Sequence, residues 1–231
     1  MIHLLNSGYT PAGPLNFMRA LILGTLLFSC LAGPASAHPH VFVDSVSEVV
    51  YDAQGRVTGV QQHWTFDEAF SAYATQGLDQ NGDGVYTRQA LAPLAQTNVE
   101  NLKDFGYFTF ARLGGKELLF RDPVNYYLDY KNNQLTLNFF LPLSSPQMQG
   151  KKALAVQIYD PTYYVAFTMA TGAASTVGSP QGCAVNLVLP KPPSDAQKTA
   201  ALQLDEAYFS ALDANKNFGV QFANNILVNC P

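Results

Sequence analysis

Several common signatures of catalysis and nucleic-acid binding are absent from this sequence of 231 residues. It contains no Gly-x-Ser-x-Gly elbow, no Cys-x-x-Cys pair, no His-Glu-x-x-His motif and no glycine-rich phosphate loop. Basic residues are also scarce, with 13 Lys and Arg against 17 Asp and Glu, and such a surface does not favour nucleic acid or anionic lipid. We therefore expect neither these enzyme classes nor a nucleic-acid partner.

The sequence also lacks an apolar run long enough to span a membrane as a permanent helix. The apolar run at residues 20–32 follows Arg19 and precedes a small-residue box at residues 35–37, which is the pattern of a cleaved secretory signal. We expect residues 1–37, an N-terminal extension and signal, to be removed. Residues 38–231 then form a single periplasmic domain with a net negative charge.

The start of translation and the chance of a lipid anchor depend on residues within this segment. Residues 1–17 carry no Lys or Arg, so translation begins at either Met1 or Met18. Cys30 follows Leu-Phe-Ser, and the bulky Phe28 stands where a lipidated signal normally has a small residue. We therefore do not expect a lipid anchor at Cys30.

Cysteine is rare, and only Cys183 and Cys230 follow the predicted signal. An even pair of cysteines in an exported chain indicates a disulfide. Closing the segment between them would stabilise the folded state by about 4 kcal/mol on the chain-entropy model.

The hydrophobic pattern of the mature chain is mostly that of strands. Residues 40–51 and 57–66 predict an antiparallel hairpin, and residues 67–105 predict a helix, an acidic loop and a second helix. Strand patterns follow over residues 107–169, and residues 194–212 have helical periodicity. We predict an α+β fold: an antiparallel sheet with an EF-hand-like helical insertion at about 67–105 and a C-terminal helix.

The acidic loop of this insertion matches most positions of a calcium-binding loop. Side-chain oxygens and one backbone carbonyl fall at the ligand positions, supplied by Asp79, Asn81, Asp83, Val85 and Thr87. Ala90 stands where such loops carry a bidentate glutamate, so we expect calcium binding to be weak. The alternative is a loop whose aspartates cap the second helix.

Histidine is also scarce, yet two of the three that remain after signal removal stand at the new N-terminus. Cleavage after Ala37 leaves a free amine on His38, with His40 two residues further on. Pro39 favours an extended backbone, in which both side chains project to the same side. Neutral imidazoles are ligands for zinc, nickel, cobalt and copper, so these residues form a candidate metal site.

Other ligands are needed to complete such a site. His63 lies on the second strand of the predicted hairpin and could approach His40 if the register allows it. Carboxylates from Asp67 or Asp160 could also contribute. We predict a metal site formed by His38, His40, His63 and Asp160.

Several of these features together resemble the bacterial domain-of-unknown-function family 1007, over essentially the whole mature chain. They are the signal ending in Ala-His-Pro-His-Val-Phe-Val-Asp, Trp-Thr-Phe-Asp at 64–67 with Phe70, the loop at 79–84, Tyr-Asp-Pro-Thr-Tyr at 159–163 and the late cysteines. The family is described as a periplasmic component of ABC-type transport, often encoded beside nickel/cobalt-type exporters. The resemblance therefore implies transition-metal handling with an inner-membrane metal transporter as partner.

These observations lead to hypotheses of different classes. The first is a non-enzymatic periplasmic protein that binds a divalent transition metal and serves a metal transport system. The second is a copper enzyme in which the N-terminal histidine chelate, with His63 as a third nitrogen, activates oxygen. A metal-free interaction module is the remaining alternative.

The predicted cleavage can be tested directly. Intact mass spectrometry of the exported protein should give a mass that begins at His38, with one disulfide and no lipid. A mass that retains the apolar run, or an acylated Cys30, would remove the terminal amine from the proposed metal site.

Overall fold

The first two strands form the hairpin that the sequence predicts. The computed structural model describes residues 39–79, 82–192, 194 and 217–231. Strand β1 is Val41–Tyr51 and strand β2 is Arg56–Phe66, and the two pair antiparallel. The turn between them is closed by Asp52, whose carboxylate accepts two backbone hydrogen bonds.

The described residues contain nine further strands. They are β3 (Thr109–Leu113), β4 (Lys116–Leu118), β5 (Val124–Lys131), β6 (Gln134–Met148), β7 (Leu154–Ile158), β8 (Val165–Thr168), β9 (Ala174–Val177), β10 (Ala184–Val188) and β11 (Asn224–Asn229). The first sheet has the strand order β5-β6-β2-β1-β8, and β9 also pairs with β1. The second sheet has the order β10-β11-β7-β3-β4.

The predicted α+β fold class is wrong, because the chain is mostly β and has two sheets rather than one antiparallel sheet. In the first sheet, β8 and β9 pair parallel with β1. Local alternation identifies a strand but not its distant partner, and Asp44 and Thr168 of the β1/β8 pair are 124 residues apart. Residues 195–212 of the predicted C-terminal helix lie outside the described residues.

The predicted EF-hand-like insertion is not observed either. Helix α1 (Glu68–Ala74) has only 7 residues, and helix α2 (Arg88–Leu102) packs against β5. Asp67 and Thr87 act as N-caps of these helices by accepting backbone hydrogen bonds. A 3-10 segment, Lys103–Phe108, then connects α2 to β3.

Inward-facing side chains of both sheets belong to one buried hydrophobic cluster. Trp64 and Phe66 are part of it, as the sequence predicts, with 1% and 7% of their surface exposed. The Trp64 ring lies 4.9 Å from the rings of both Phe139 and Phe167, in edge-to-face contacts. The aromatic residues of β2, β6 and β8 therefore pack together.

A fully buried glutamine joins the two sheets by hydrogen bonds. The Gln62 Oε1 atom accepts from Ser47 Oγ at 2.6 Å and from Trp64 Nε1 at 3.3 Å. Its Nε2 atom donates to Thr109 Oγ1, on the second sheet, at 3.1 Å. Because Gln62 is 0% exposed, Ser47 Oγ and Trp64 Nε1 would lose this buried acceptor without it. The Thr109 hydroxyl would keep its bond to the Tyr107 carbonyl oxygen.

The predicted disulfide is formed between Cys183 and Cys230. These residues stand directly before β10 and directly after β11, so the bond closes one end of the antiparallel pair at the edge of the second sheet. A disulfide is consistent with an exported protein. Within the described residues, no helix has the length and apolar character needed to cross a membrane.

Replacing Gln62 with Leu should lower the free energy of unfolding by about 1–3 kcal/mol, because it leaves buried polar groups unsatisfied. Urea denaturation of the variant measures this loss. Gln61→Leu is the matched control: Gln61 lies on the opposite face of β2, is partly exposed and donates to the Phe139 carbonyl oxygen at 3.0 Å, so its loss should be smaller, about 1 kcal/mol or less. Equal losses in the two variants would contradict a special role for Gln62.

Candidate functional site

His40 lies at the surface immediately before β1, and its backbone is anchored. Its N–H donates to the Tyr164 carbonyl oxygen at 2.9 Å, just before the parallel pairing of Val41 with Val165 begins. Its imidazole lies against the Tyr164 ring with a centroid distance of 4.7 Å. The exposed imidazole therefore projects from a fixed backbone position. His38 lies outside the described residues.

Asp67 holds the start of β1 from the opposite side. Its Oδ2 atom accepts from the Phe42 N–H at 2.8 Å, and its own N–H donates to the Phe42 carbonyl oxygen at 2.9 Å. Its Oδ1 atom caps α1 by accepting from the Phe70 N–H at 2.8 Å. Both carboxylate oxygens therefore accept backbone hydrogen bonds that fix local structure.

Asp160 is buried, with 2% of its surface exposed. Its Oδ1 atom accepts from the N–H and the hydroxyl of Thr162, both at 2.8 Å, and its Oδ2 atom accepts from the Val165 N–H at 2.9 Å. Burial raises the pKa of Asp160, and these hydrogen bonds oppose that rise. The carboxylate therefore shapes the turn that leads into β8, and this turn positions Tyr164 beside His40.

The structure does not bring His63 to His40. His63 pairs with Val46 in the β1/β2 register, and Val46 is six residues beyond His40, which corresponds to about 20 Å along a strand. The His63 Nδ1 atom lies 2.6 Å from Asn138 Oδ1, and Nε2 lies 3.9 Å from a Glu48 carboxylate oxygen. The two histidines are thus on one face of the sheet but out of reach of a common ion.

The predicted calcium ligands mostly contact their own loop. The Asp79 carboxylate accepts from the N–H groups of Gly82 and Gly84 at 2.8 and 2.9 Å, and the Asp83 carboxylate accepts from the Val85 N–H at 2.8 Å. The Thr87 hydroxyl accepts from the Ala90 N–H at the start of α2. Asn81 lies outside the described residues.

Potential metal ligands are not clustered in the described part of the chain. In residues 39–79, 82–192, 194 and 217–231, no group of three or more His, Cys, Asp or Glu side chains is arranged to hold a metal ion. Of the predicted ligands that the structure describes, His40 alone combines exposure with a position close to the predicted cleavage site. The two other described candidates, His63 and Asp160, are not gathered around it.

The sequence pattern did not predict a cavity that lies beside His40. It has a volume of about 260 Å³, and Tyr164, Leu102, Phe105 and Phe108 are among its lining residues. The signal in the sequence is the aromatic cluster Phe-Gly-Tyr-Phe at residues 105–108, directly after a helix. Local pattern alone does not show that this cluster meets the start of β8.

The role of Asp160 in the turn can be tested with a single substitution. Asp160→Asn places an amide N–H₂ where backbone N–H groups now donate, and it should lower the free energy of unfolding by about 1–3 kcal/mol. Thermal unfolding compares it with Asp44→Asn, an exposed site on β1 where about 0.5 kcal/mol or less is expected. An unchanged melting temperature for Asp160→Asn would contradict this role.

Comparisons with known proteins agree with the resemblance noted from the motifs. The model of a family described as "Protein of unknown function (DUF1007)" matches residues 23–230. The chain is 30% identical over 200 residues to an uncharacterized protein of Haemophilus influenzae, covering 84% of this chain and 91% of that protein. It is 35% identical over 86 residues to an uncharacterized 15.5 kDa protein in the trpE 3' region of Spirochaeta aurantia, covering 37% of this chain and 61% of that protein. No solved structure matches the chain. The chain therefore belongs to the DUF1007 family.

Proposed function

We propose that the mature protein is a non-enzymatic periplasmic protein that binds a divalent transition metal at its N-terminus and serves an inner-membrane metal transporter. The observation that carries this proposal is the placement of His40. Its imidazole is at the surface, and its backbone is fixed to Tyr164 by a hydrogen bond of 2.9 Å. The predicted amine and imidazole of His38 come two residues earlier.

The available donors limit the chemistry of this site. Pro39 has no N–H, and the His40 N–H is already donated to the Tyr164 carbonyl oxygen, so chelation through a deprotonated backbone amide is disfavoured. The remaining donors are the terminal amine, the His38 imidazole and the His40 imidazole. Neutral nitrogen donors of this kind suit zinc, nickel, cobalt and copper.

The copper-enzyme alternative has less support. It needs a third nitrogen close to the N-terminal chelate, and His63 was the candidate. The register of β1 and β2 separates His63 from His40 by about 20 Å along the sheet. In addition, Nδ1 of His63 is already paired with Asn138.

A role beside a transporter is supported by the export features and by the family. The disulfide between Cys183 and Cys230 fits an oxidising compartment outside the cytoplasm. Acidic residues outnumber basic ones, so the overall field attracts cations. The resemblance noted in the sequence, which implies a component of a transport system, adds to this support.

Calorimetric titration of the mature protein with Zn(II), Ni(II), Co(II) and Cu(II) tests the proposal. In the double variant His38→Ala with His40→Ala, the metal affinity should fall by more than about 100-fold. Removing a residue that only contacts a metal ligand typically costs roughly 10- to 100-fold, and this variant removes two ligands themselves. A glycine added before His38 should also weaken binding, because it moves the amine away from the imidazole.

His63→Ala is the matched control, since it removes an imidazole from the same sheet face outside the proposed site. Its metal affinity should equal that of the unaltered protein. Unchanged affinity in the double variant would refute the N-terminal site, and an equal loss in His63→Ala would place the metal elsewhere.

A further inference from the structure

The cavity beside His40 lies between the first sheet and the helical segments. Its floor is formed by the starts of β1 and β8 and by the end of β2, and its outer wall by α1, by α2 and by the 3-10 segment that follows α2. Seven aromatic rings line it: Trp64, Phe66, Phe70, Phe105, Phe108, Tyr164 and Phe167. Its volume is about 260 Å³, and a cavity of about 150 Å³ with similar walls binds benzene. The space therefore suits a ligand of one or two rings.

The aromatic walls support one another, which keeps the cavity open. Phe66 contacts Phe70 with ring centroids 4.7 Å apart, and Trp64 contacts Phe167 at 4.9 Å. Phe108 lies 5.5 Å from Phe105 and from Phe167. A ring that turned into the cavity would lose these contacts. The site is therefore formed before any ligand arrives, as ligand pockets usually are.

Backbone strain is concentrated in the same wall. Tyr107 and Phe108 have φ values of 54° and 47°, in the left-handed region that costs L-residues roughly 1–2 kcal/mol each. Surrounding contacts hold them there: Tyr107 donates its hydroxyl to Asp122 at 2.7 Å, and Phe108 is 7% exposed. This backbone directs the Phe108 ring into the cavity wall beside Phe105. Strain of this kind clusters at binding and catalytic sites.

The polar atoms of the lining are few and uncharged. Asn98 and Asn101 of α2 contribute carboxamides, and Tyr164 contributes a phenol ring. The Asn98 Nδ2 atom donates to the Leu94 carbonyl oxygen at 2.8 Å, so its Oδ1 atom can accept a hydrogen bond from a ligand. The described residues that line the cavity include no Asp, Glu, Lys, Arg or His. A charged group inside it would lose hydration without gaining a partner.

We propose that this cavity is a binding site for a small, uncharged aromatic ligand of one or two rings. The rings pack among Phe66, Phe105, Phe108 and Phe167, and a hydrogen-bonding group at the outer end of the ligand faces the Asn98 and Asn101 carboxamides. This site is separate from the N-terminal metal site, and it does not depend on metal binding.

The protein carries its own reporter for this site. Trp64 is the only tryptophan in the sequence, and its indole lines the cavity. Titration of the exported protein with naphthylamine, an uncharged fluorescent probe with two rings, should quench Trp64 emission by energy transfer while the probe emission rises. Both signals should saturate together at one probe per chain. Probe binding that leaves Trp64 emission unchanged would overturn the assignment.

A charged analogue and two variants test the ligand class and the location. Naphthylamine sulfonate has the same two rings with a negative charge, and it should bind about tenfold more weakly or worse. Phe105→Glu changes a ring that is 44% exposed, and it should weaken naphthylamine binding by a similar factor. Asn101→Phe is the second test, for use if Phe105→Glu fails to fold. It places a ring at the rim of the cavity from an exposed position, and it should weaken probe binding by a similar factor.

Leu119→Glu is the matched control, because Leu119 is 67% exposed and lines no part of this cavity. Its probe affinity should equal that of the unaltered protein, with circular dichroism confirming that each variant is folded. Equal affinity for the charged and uncharged probes would overturn the ligand class. Unchanged affinity in folded Phe105→Glu and Asn101→Phe would overturn the site.

Discussion

The start of β1 is held from both sides by hydrogen bonds, and both candidate sites depend on this constraint. On one side the His40 N–H donates to the Tyr164 carbonyl oxygen, and on the other Phe42 and Asp67 exchange two hydrogen bonds. N-terminal strands commonly fray when they are not tied down in this way. Here the fixed backbone positions the imidazole of His40 and also the side of the cavity formed by Val41.

Tyr164 belongs to both sites, since its ring lies against His40 and also lines the aromatic cavity. Its position depends on the Asp160 turn, whose carboxylate holds the Thr162 and Val165 N–H groups. The Asp160 turn also requires Gly219, because a Cβ atom at that position would lie 1.7 Å from the Asp160 carbonyl oxygen. A contact between residues 160 and 219 therefore supports the position of Tyr164 beside His40.

Features that depend on neighbouring residues could be predicted from the sequence, and features that depend on distant pairing could not. The hairpin of β1 and β2 follows from alternation and turn chemistry. The alternative interpretation of the acidic loop expected its aspartates to cap the second helix, whereas the cap is Thr87. The parallel pairing of β8 with β1 is set by tertiary packing. Likewise, the sequence places His63 on the strand that pairs with the one after His40, but only the register decides that both lie on one face and how far apart they are. The cavity is the extreme case, because its walls come from both helices and from several strands.

The carboxylates show why residue type alone overstated the metal site. Asp67, Asp79 and Asp160 all have the chemistry of metal ligands, yet each accepts hydrogen bonds from backbone N–H groups at a turn or helix start. Backbone groups at such positions have no partner in the regular ladders, so a nearby carboxylate is the usual solution. Under the proposed function, the metal is then held by two imidazoles and an amine, and the remaining coordination positions are filled by water or by a group from the transporter. An incomplete set of protein ligands suits a protein that passes its metal to a partner, because the partner can bind the metal before the protein releases it.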